Sequence, residues 1–467
     1  MTIVQPTTSP PPAQSQTAVP APVVTQHAVS RHSVPGRVRT LTGAVLIALA
    51  MLSALLAFGS GSAREGLRVI GHDSGPQVVA TAGLYLGLSD MDAQVADVLL
   101  MGSEYGERRT TAMTQYEKRR TEANQALLDA FELADGDPAE RLTIQSVLDG
   151  LGRYERLAGE ALLLNTQSDH RAGETPEAVL RVYRQATDLM RLELLPKAYN
   201  LTLESGTIVR RTHDEETAAV RLLMLGLIAA LVAAGGLFVA LQLYLARAFR
   251  RRLAPALLVA TGLTVIAGLV GVAVLGQVLQ SIASAKRDGF DSVLTTARAR
   301  AIGNSLHADQ ARYLLDPARA DTYEHAFLDK SQSLVYADGG NVEAYHATLA
   351  KNGRISLGLL APVRANIAGN FAAYRRFQEA DGRMRALATS GAKPQAVSAK
   401  LDELAKSFTA FDRELVTVGE RYEATFTKTV AAGDGALDGL WRLAPWALGA
   451  AAVLIAAGVW PRLREYR

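Results

Sequence analysis

The chain has 467 residues, of which 49% are hydrophobic, a formal net charge of +3 and no cysteine. The absence of cysteine excludes a disulfide-stapled fold, and the length allows two ordinary domains beside other segments. Residues 1–36 contain seven prolines and no acidic residue. Such a composition cannot bury a core, so we expect a disordered tail there.

Four long apolar runs follow the tail in two matching pairs. They cover residues 41–60, 222–245, 253–278 and 443–460. Each can cross a hydrocarbon core of about 30 Å, which takes roughly 20 helical residues. The small residues at 59–63 resemble a signal-peptide cleavage site, but the length of the run and of the tail favours a retained span. Each pair encloses a long polar segment, which predicts a duplicated unit.

Arginines lie on one side of the four predicted spans. The segments before the first span, between the second and third, and after the fourth hold ten arginines against one acid, Glu465. The positive-inside rule therefore places both termini, the loop 246–252 and the tail 461–467 in the cytosol. This basic excess suits anionic lipid headgroups and gives no reason to expect nucleic-acid binding.

The two enclosed segments are then extracytoplasmic. Segment 61–217 has 17 basic and 26 acidic residues, a net charge of −9, and segment 279–438 has 20 and 19, a net charge of +1. Apolar residues recur three and four apart in both, which is typical of helices packed in a bundle. In residues 84–98 this stripe comprises Leu84, Leu88, Met91, Val95 and Val98.

Helix breakers divide each segment into four helical stretches, of which the first and last are long and lead into membrane helices. They lie at 134–136, 171–173, 339–340 and 391–394, and Pro196 is expected to kink or divide the last helix of the first segment. We therefore predict an all-α membrane protein, with four transmembrane helices and two tandem extracytoplasmic up-down four-helix bundles.

A faint internal repeat supports the duplication. Residues 92–100 align with 307–315, and Tyr154 aligns with Tyr374. Gln310 takes the position of Val95 in this alignment. A buried glutamine at such a position sets the helix register or marks a polar pocket between helices.

Few residues indicate chemistry. No nucleotide-binding, hydrolase or kinase motif and no metal-binding spacing is present, so we expect no enzyme activity, metal or cofactor. The ligand-binding candidates are Tyr154, Arg156, Gln310, Tyr374 and Arg376. Alternatively, the tyrosines occupy core positions in which their hydroxyls are hydrogen-bonded, and the arginines lie on the exposed surface of a helix. Arginine nevertheless binds carboxylates well, because its guanidinium group can donate two parallel hydrogen bonds.

Two further groups of polar residues complete the candidates. His307 and Asp309 fit an ordinary helix surface. The arginines of the short cytosolic loop are candidates for contact with a cytosolic partner. They are Arg247, Arg250, Arg251 and Arg252.

This organisation resembles the extracytoplasmic four-helix-bundle sensor domains of chemoreceptors and sensor kinases, which also lie between two membrane helices. No cytosolic signalling helix or kinase follows here, and the whole layout, roughly residues 37–465, resembles the actinobacterial GlnX type of membrane protein. That resemblance implies a part in amino-acid sensing. It also implies an extracytoplasmic amino-acid-binding lipoprotein and a cytosolic Ser/Thr kinase as partners.

The sequence thus favours a non-enzymatic transmembrane signal relay. It would couple recognition of an amino acid, or of a loaded binding lipoprotein, to a cytosolic kinase pathway. The alternative is a cell-envelope scaffold or interaction protein that senses no ligand. A transporter is disfavoured because the central portions of the spans lack ionisable residues. The bundles could complete their packing within one chain or across a homodimer.

Overall fold

The computed structural model describes most of the chain beyond the N-terminal tail. The described residues are 34–134, 138–249, 254–351, 353–361 and 367–464. The predicted disordered tail lies outside them except for residues 34–36, which begin the first helix.

The first half of the chain is helical throughout its described part. Its helices are α1 (Val34–Arg68), α2 (Ser74–Leu100), α3 (Gly106–Leu133), α4 (Pro138–Gln167), α5 (Glu177–Leu189) and α6 (Leu195–Phe249). The breakers predicted at 134–136 and 171–173 fall between α3 and α4 and between α4 and α5, and residues 135 and 136 lie outside the described residues.

The second half repeats this order with one insertion. Its helices are α7 (Pro255–Ser284), α8 (Asp291–Leu315), α9 (Ala320–Leu334), α10 (Val342–Ala350), α11 (Ile367–Thr389), α12 (Lys393–Ala399) and α13 (Ala405–Arg464). The insertion consists of α10 and two short antiparallel strands, β1 (Tyr336–Ala337) and β2 (Ile355–Ser356), in which Tyr336 pairs with Ser356. Neither the strands nor a fifth helical stretch in this segment was predicted.

Four π-helical turns reinforce the repeat. Val69–Asp73 joins α1 to α2, and Ala285–Phe290 joins α7 to α8. Met190–Leu194 joins α5 to α6, and Lys400–Leu404 joins α12 to α13. The third turn precedes Pro196, so the predicted distortion there is a widened turn within a continuous helical path. The fourth has no such proline, so this turn belongs to the repeated unit.

Among the described residues, four helices are long and apolar enough to cross a membrane. They contain the predicted spans from residues 41, 222, 255 and 443 onward, while residue 253 of the third span lies outside the described residues; α1 packs along α6, and α7 packs along α13. Small residues permit close approach: a Cβ added to Gly271 of α7 would lie 2.9 Å from Leu56 Cδ2 of α1. With 55 and 60 residues, α6 and α13 each extend about 80–90 Å, far beyond the apolar run.

The two polar segments share one hydrophobic core. The stripe predicted in residues 84–98 is fully buried, and α2 packs directly against α8 of the other half. Buried side chains of α2, α4 and α5 belong to the same cluster as those of α8, α11 and α13. The prediction of two tandem bundles did not include this joint core, in which each half covers apolar surface of the other half.

Candidate functional site

Charged side chains lie buried where α2 meets α8. We call them the inter-repeat ion network. Its members are Asp92 and Asp97 of α2, His307, Asp309 and Arg312 of α8, Lys330 of α9 and Lys400 at the start of the last π-helical turn. Lys330 is partly exposed, and the others are buried. Buried charges are costly unless they are paired, so each member of this network needs a partner of opposite charge or a hydrogen bond.

Arg312 joins three elements of the network. Its side chain is 1% exposed and pairs with Asp92 of α2, while Nη1 donates to Asp309 Oδ1 at 2.5 Å. Its Nε donates to the Tyr183 hydroxyl of α5 at 3.2 Å. Burial opposes the charged form, but Asp92, Tyr183 and Asp309 together hold the pKa of Arg312 above its usual value. Arg312 is therefore a permanent cation inside the core.

Asp97 forms the second centre of the network. Lys400 Nζ donates to Asp97 Oδ1 at 2.7 Å, and His307 Nε2 lies 3.1 Å from Asp97 Oδ2. Against the effect of burial, Lys400 and His307 lower the pKa of Asp97 well below its usual range. Burial, reinforced by Lys400, lowers the pKa of His307, whose ring stacks on Phe408 with centroids 4.5 Å apart. His307 is consequently neutral near pH 7.

The network is balanced in charge when His307 is neutral. Three acids, Asp92, Asp97 and Asp309, then face three bases, Arg312, Lys330 and Lys400, and burial lowers the pKa of the two lysines against the effect of the facing carboxylates. The acids of α2 also occupy the positions that align with the bases of α8: Asp92 aligns with His307, and Asp97 with Arg312. Asp92 contacts Arg312, and Asp97 contacts His307, so the repeat relates one contact to the other.

Other ion pairs between the halves surround the network. Arg184 of α5 donates from Nε and Nη2 to both carboxylate oxygens of Asp316, at 2.8 and 2.7 Å, beside the end of α8. Arg319 binds Asp188 of α5 at 2.9 Å. A bidentate pair with a buried carboxylate fixes orientation as well as distance. These contacts hold α5 against the second half.

A cleft of about 350 Å³ opens beside the network, between the two halves. Tyr85 of α2 and Tyr199 of α6 line it, with ring centroids 5.7 Å apart. Arg191, Ser305 and Lys330 supply polar atoms. Lys330 Nζ donates to Asp309 Oδ2 at 2.5 Å, so one wall of the cleft is a member of the ion network.

Three of the predicted ligand-binding candidates are buried. Tyr154 is fully buried and donates to Asp92 Oδ1 at 3.3 Å, which joins it to the network. Gln310 is also fully buried, and neither atom of its amide has a hydrogen-bond partner within the described part of the chain. Tyr374 bonds the Tyr345 hydroxyl at 2.8 Å and accepts from Gln378 at 2.9 Å, entirely within the second half. The prediction of bonded core tyrosines is confirmed.

The predicted arginine candidates lie elsewhere. Arg156 is 67% exposed and lies 3.6 Å from Glu160 on the same helix, and Arg376 is also exposed, as expected for helix surface. Arg247 is exposed in the last turn of α6. The remaining predicted cytosolic contacts, Arg250, Arg251 and Arg252, lie outside the described residues.

The placement of His307 and Asp309 on a helix surface was wrong. Both are buried because α8 is enclosed on nearly all sides, with α2 on one face and α9 and α13 on others. The available signal was in α2, where Asp92 and Asp97 lie five residues apart on different sides of a mainly apolar helix. Such acids require partners of opposite charge, which Arg312 provides for Asp92 and Lys400 for Asp97.

Comparison with known proteins supports a sensing role. Residues 66–214 match the family model described as an actinobacterial sensor domain. The match begins at the end of α1 and ends within α6, so it covers the polar segment of the first half. No curated protein and no solved structure matches the chain. In the described residues no group of three or more His, Asp or Glu side chains is arranged to hold a metal ion. The family match supports an actinobacterial sensor protein.

Proposed function

We propose that this protein is a non-enzymatic transmembrane signal relay. The two polar segments lie outside the membrane, and both termini and the loop between α6 and α7 face the cytosol. The sensor-domain match, the four apolar helices and the arginines that flank them support this arrangement.

The joint packing of α2 and α8 is the observation that carries the proposal. Both helices continue toward the membrane through π-helical turns into α1 and α7, and the long helices α6 and α13 run from the joint core into the spans. A change in how the halves meet would therefore move all four spans. Shifts of about 1–2 Å are sufficient in known switches, provided that the ligand favours one state.

The input is an amino acid, received directly or through a loaded extracytoplasmic binding lipoprotein. The output is an altered display of the cytosolic ends to a Ser/Thr kinase pathway. Both partners follow from the resemblance to the GlnX type of membrane protein. Arg247, exposed at the end of α6, is the described residue of the proposed cytosolic contact.

The test measures movement at the cytosolic ends in full-length protein reconstituted into nanodiscs. The chain has no cysteine, so Arg247→Cys with Arg464→Cys gives a clean pair of sites for spin labels. The distance between the labels is measured by pulsed electron paramagnetic resonance. The additions are each common amino acid, and then the binding lipoprotein of the same organism in its empty and loaded forms.

We expect the distance distribution to shift with free amino acid or with the loaded lipoprotein, and to stay unchanged with the empty one. Equal distributions in all conditions, from protein whose folding is verified, would contradict the relay and favour the envelope scaffold. The two polar segments are kept in one chain because they share a core, so separate segments would each expose an apolar face.

A further inference from the structure

The cleft between the halves carries more positive than negative charge. Lys330 shares its carboxylate partner, Asp309, with Arg312. The Arg191 guanidinium carbon lies 5.2 Å from the centroid of the Tyr323 ring, a cation–π contact, and its charge also acts on the buried Asp92 and Asp309. An anion entering the cleft would meet Lys330 and Arg191 together.

A third cation lies behind the aromatic wall. The Arg298 guanidinium carbon is 5.1 Å from the Tyr199 ring centroid, and its Nε and Nη2 are buried without a hydrogen-bond partner among the described residues. Buried guanidinium donors without partners are costly. Their field adds to that of Arg191 and Lys330 and favours negative charge near Tyr199.

The remaining walls of the cleft are apolar. Leu192, Leu195 and Pro196 line it together with the rings of Tyr85 and Tyr199. Small-molecule sites combine such walls with a few convergent polar groups, in volumes of about 300–1,000 Å³. The cleft, at about 350 Å³, suits a small molecule with an apolar body and one anionic end.

We propose that this cleft binds a small organic carboxylate. Arg191 and Lys330 receive its oxygens, and Tyr85 and Tyr199 hold its apolar body. Lys330 is already paired with Asp309, so the remaining excess of positive charge at the cleft suits one carboxylate rather than a more highly charged phosphate, and the guanidinium fork of Arg191 matches its two oxygens. The inference deepens the proposed relay by naming the class of its ligand and the place where it binds.

Binding at this place affects the inter-repeat ion network. The ligand carboxylate competes with Asp309 for Lys330, and Asp309 in turn binds Arg312, which pairs with Asp92 of α2. The ligand therefore acts on the contact between the halves through two consecutive ion pairs. The ligand therefore interacts differently with two arrangements of α2 against α8. A ligand can switch a protein only if its interactions with the two states differ.

The test is binding of defined probes to the full-length protein in nanodiscs, measured by calorimetry. The probes are a panel of small carboxylates from acetate to citrate, including phenylacetate and the common amino acids, with phenylacetamide and inorganic phosphate for comparison. Binding is then repeated with Arg191→Gln and with the conservative Arg191→Lys. Arg181→Gln is the matched control, because Arg181 is an exposed arginine of α5.

We expect at least one carboxylate to bind, no binding of phenylacetamide, and a loss of about tenfold or more for Arg191→Gln, corresponding to one charge-assisted contact. Arg191→Lys should lose less and Arg181→Gln nothing. Failure of every carboxylate to bind at millimolar concentration, preference for phosphate, or equal binding by Arg191→Gln would each overturn the inference.

Failure of the relay would look different. Carboxylate binding that depends on Arg191, without any change in the distance between labels at positions 247 and 464, would support the site and contradict the relay. A distance change caused by the loaded lipoprotein in Arg191→Gln, without carboxylate binding to the natural protein, would support the relay and contradict the site.

Discussion

The two halves of the chain have the same order of helices and π-helical turns but opposite charges where they meet. Asp92 and Asp97 of the first half align with His307 and Arg312 of the second. If two copies of the first half paired in this geometry, Asp92 would face Asp97 of the other copy. The exchange of acids for bases therefore makes each half complementary to the other and disfavours pairing with its own kind.

The halves also differ in their interiors. In the first half Tyr154 donates to Asp92 and so belongs to the contact between the halves. In the second half the aligned Tyr374 bonds Tyr345 of the inserted helix α10. The insertion therefore draws the second tyrosine into a local network, while the first remains connected to the interface.

The largest effect is expected from removal of the cation that joins the halves. Arg312→Met leaves Asp92 and Asp309 as buried carboxylates with fewer partners, and breaking a buried pair in this way costs about 3–5 kcal/mol of stability. The measurement is the unfolding midpoint of full-length protein in detergent. Arg156→Met, at an exposed position, is the matched control and should change stability by about 0.5 kcal/mol or less.

A double variant sharpens this comparison. Asp92→Leu with Arg312→Met removes both charges of the pair, so the double variant should be more stable than Arg312→Met alone. If the two changes simply add, the contact between Asp92 and Arg312 does not join the halves energetically.

The second effect concerns the π-helical turn before α8. A Cβ on Gly289 would lie 2.8 Å from Phe426 Cβ of α13, so Gly289→Ala must displace one element against the other. Overpacking of this kind costs about 1–3 kcal/mol. The cost is read from the unfolding midpoint. Gly152→Ala is the matched control, since nothing lies within 4 Å of the added atom in α4, and it should be neutral or stabilising. Equal midpoints for the two variants would show that the turn adapts freely.

The third effect compares the aligned tyrosines. Tyr374→Phe removes a hydroxyl that bonds Tyr345 and Gln378 and should cost about 1–2 kcal/mol. Tyr154→Phe removes one donor at 3.3 Å from Asp92, which retains Arg312, and should cost about 1 kcal/mol or less. Thermal unfolding of the two variants shows which loses more stability. A larger loss for Tyr154→Phe would contradict our assignment of the stronger hydrogen bonds to Tyr374.

Periodicity and composition were sufficient for most of the fold. The apolar runs predicted the helices that can span a membrane, and the stripe from Leu84 to Val98 predicted the buried face of α2. The joint core was not predictable from periodicity, because a buried face does not indicate which helix covers it. The strands Tyr336–Ala337 and Ile355–Ser356 are too short to produce an alternating pattern.

The site was less predictable than the fold. Only the burial of Gln310 was predictable, because an amide takes the place of Val95 on an apolar stripe, and its role as a ligand-binding residue stays a prediction. The burial of Lys400 was not predictable, because it lies next to Leu401 in a widened turn, where the 3–4 spacing no longer tells which residues point inward. Arg191 and Lys330 meet only through packing of distant segments, so no local pattern could bring them together.

The smallest expected effect is a difference in pH response between the two contacts that the repeat relates, Asp92 with Arg312 and Asp97 with His307. Arg312 is a permanent cation, whereas burial and Lys400 lower the pKa of His307 below its value of 6.5 in an unfolded chain. Below pH 6.5 the unfolded chain binds a proton that folded His307 does not bind, so acidification favours the unfolded state. The stabilising contribution of neutral His307 is therefore complete above pH 6.5 and is lost as the pH falls toward the folded pKa.

His307→Gln should therefore reduce the fall in unfolding midpoint between about pH 7.5 and 5.5. His325→Gln, at a position 78% exposed, is the control and should leave that fall unchanged. Burial also lowers the pKa of His346, so a smaller pH dependence should remain in His307→Gln. If His307→Gln and the natural protein lose stability in parallel, His307 is not the pH-dependent partner of Asp97, and the two contacts between the halves respond alike to acid.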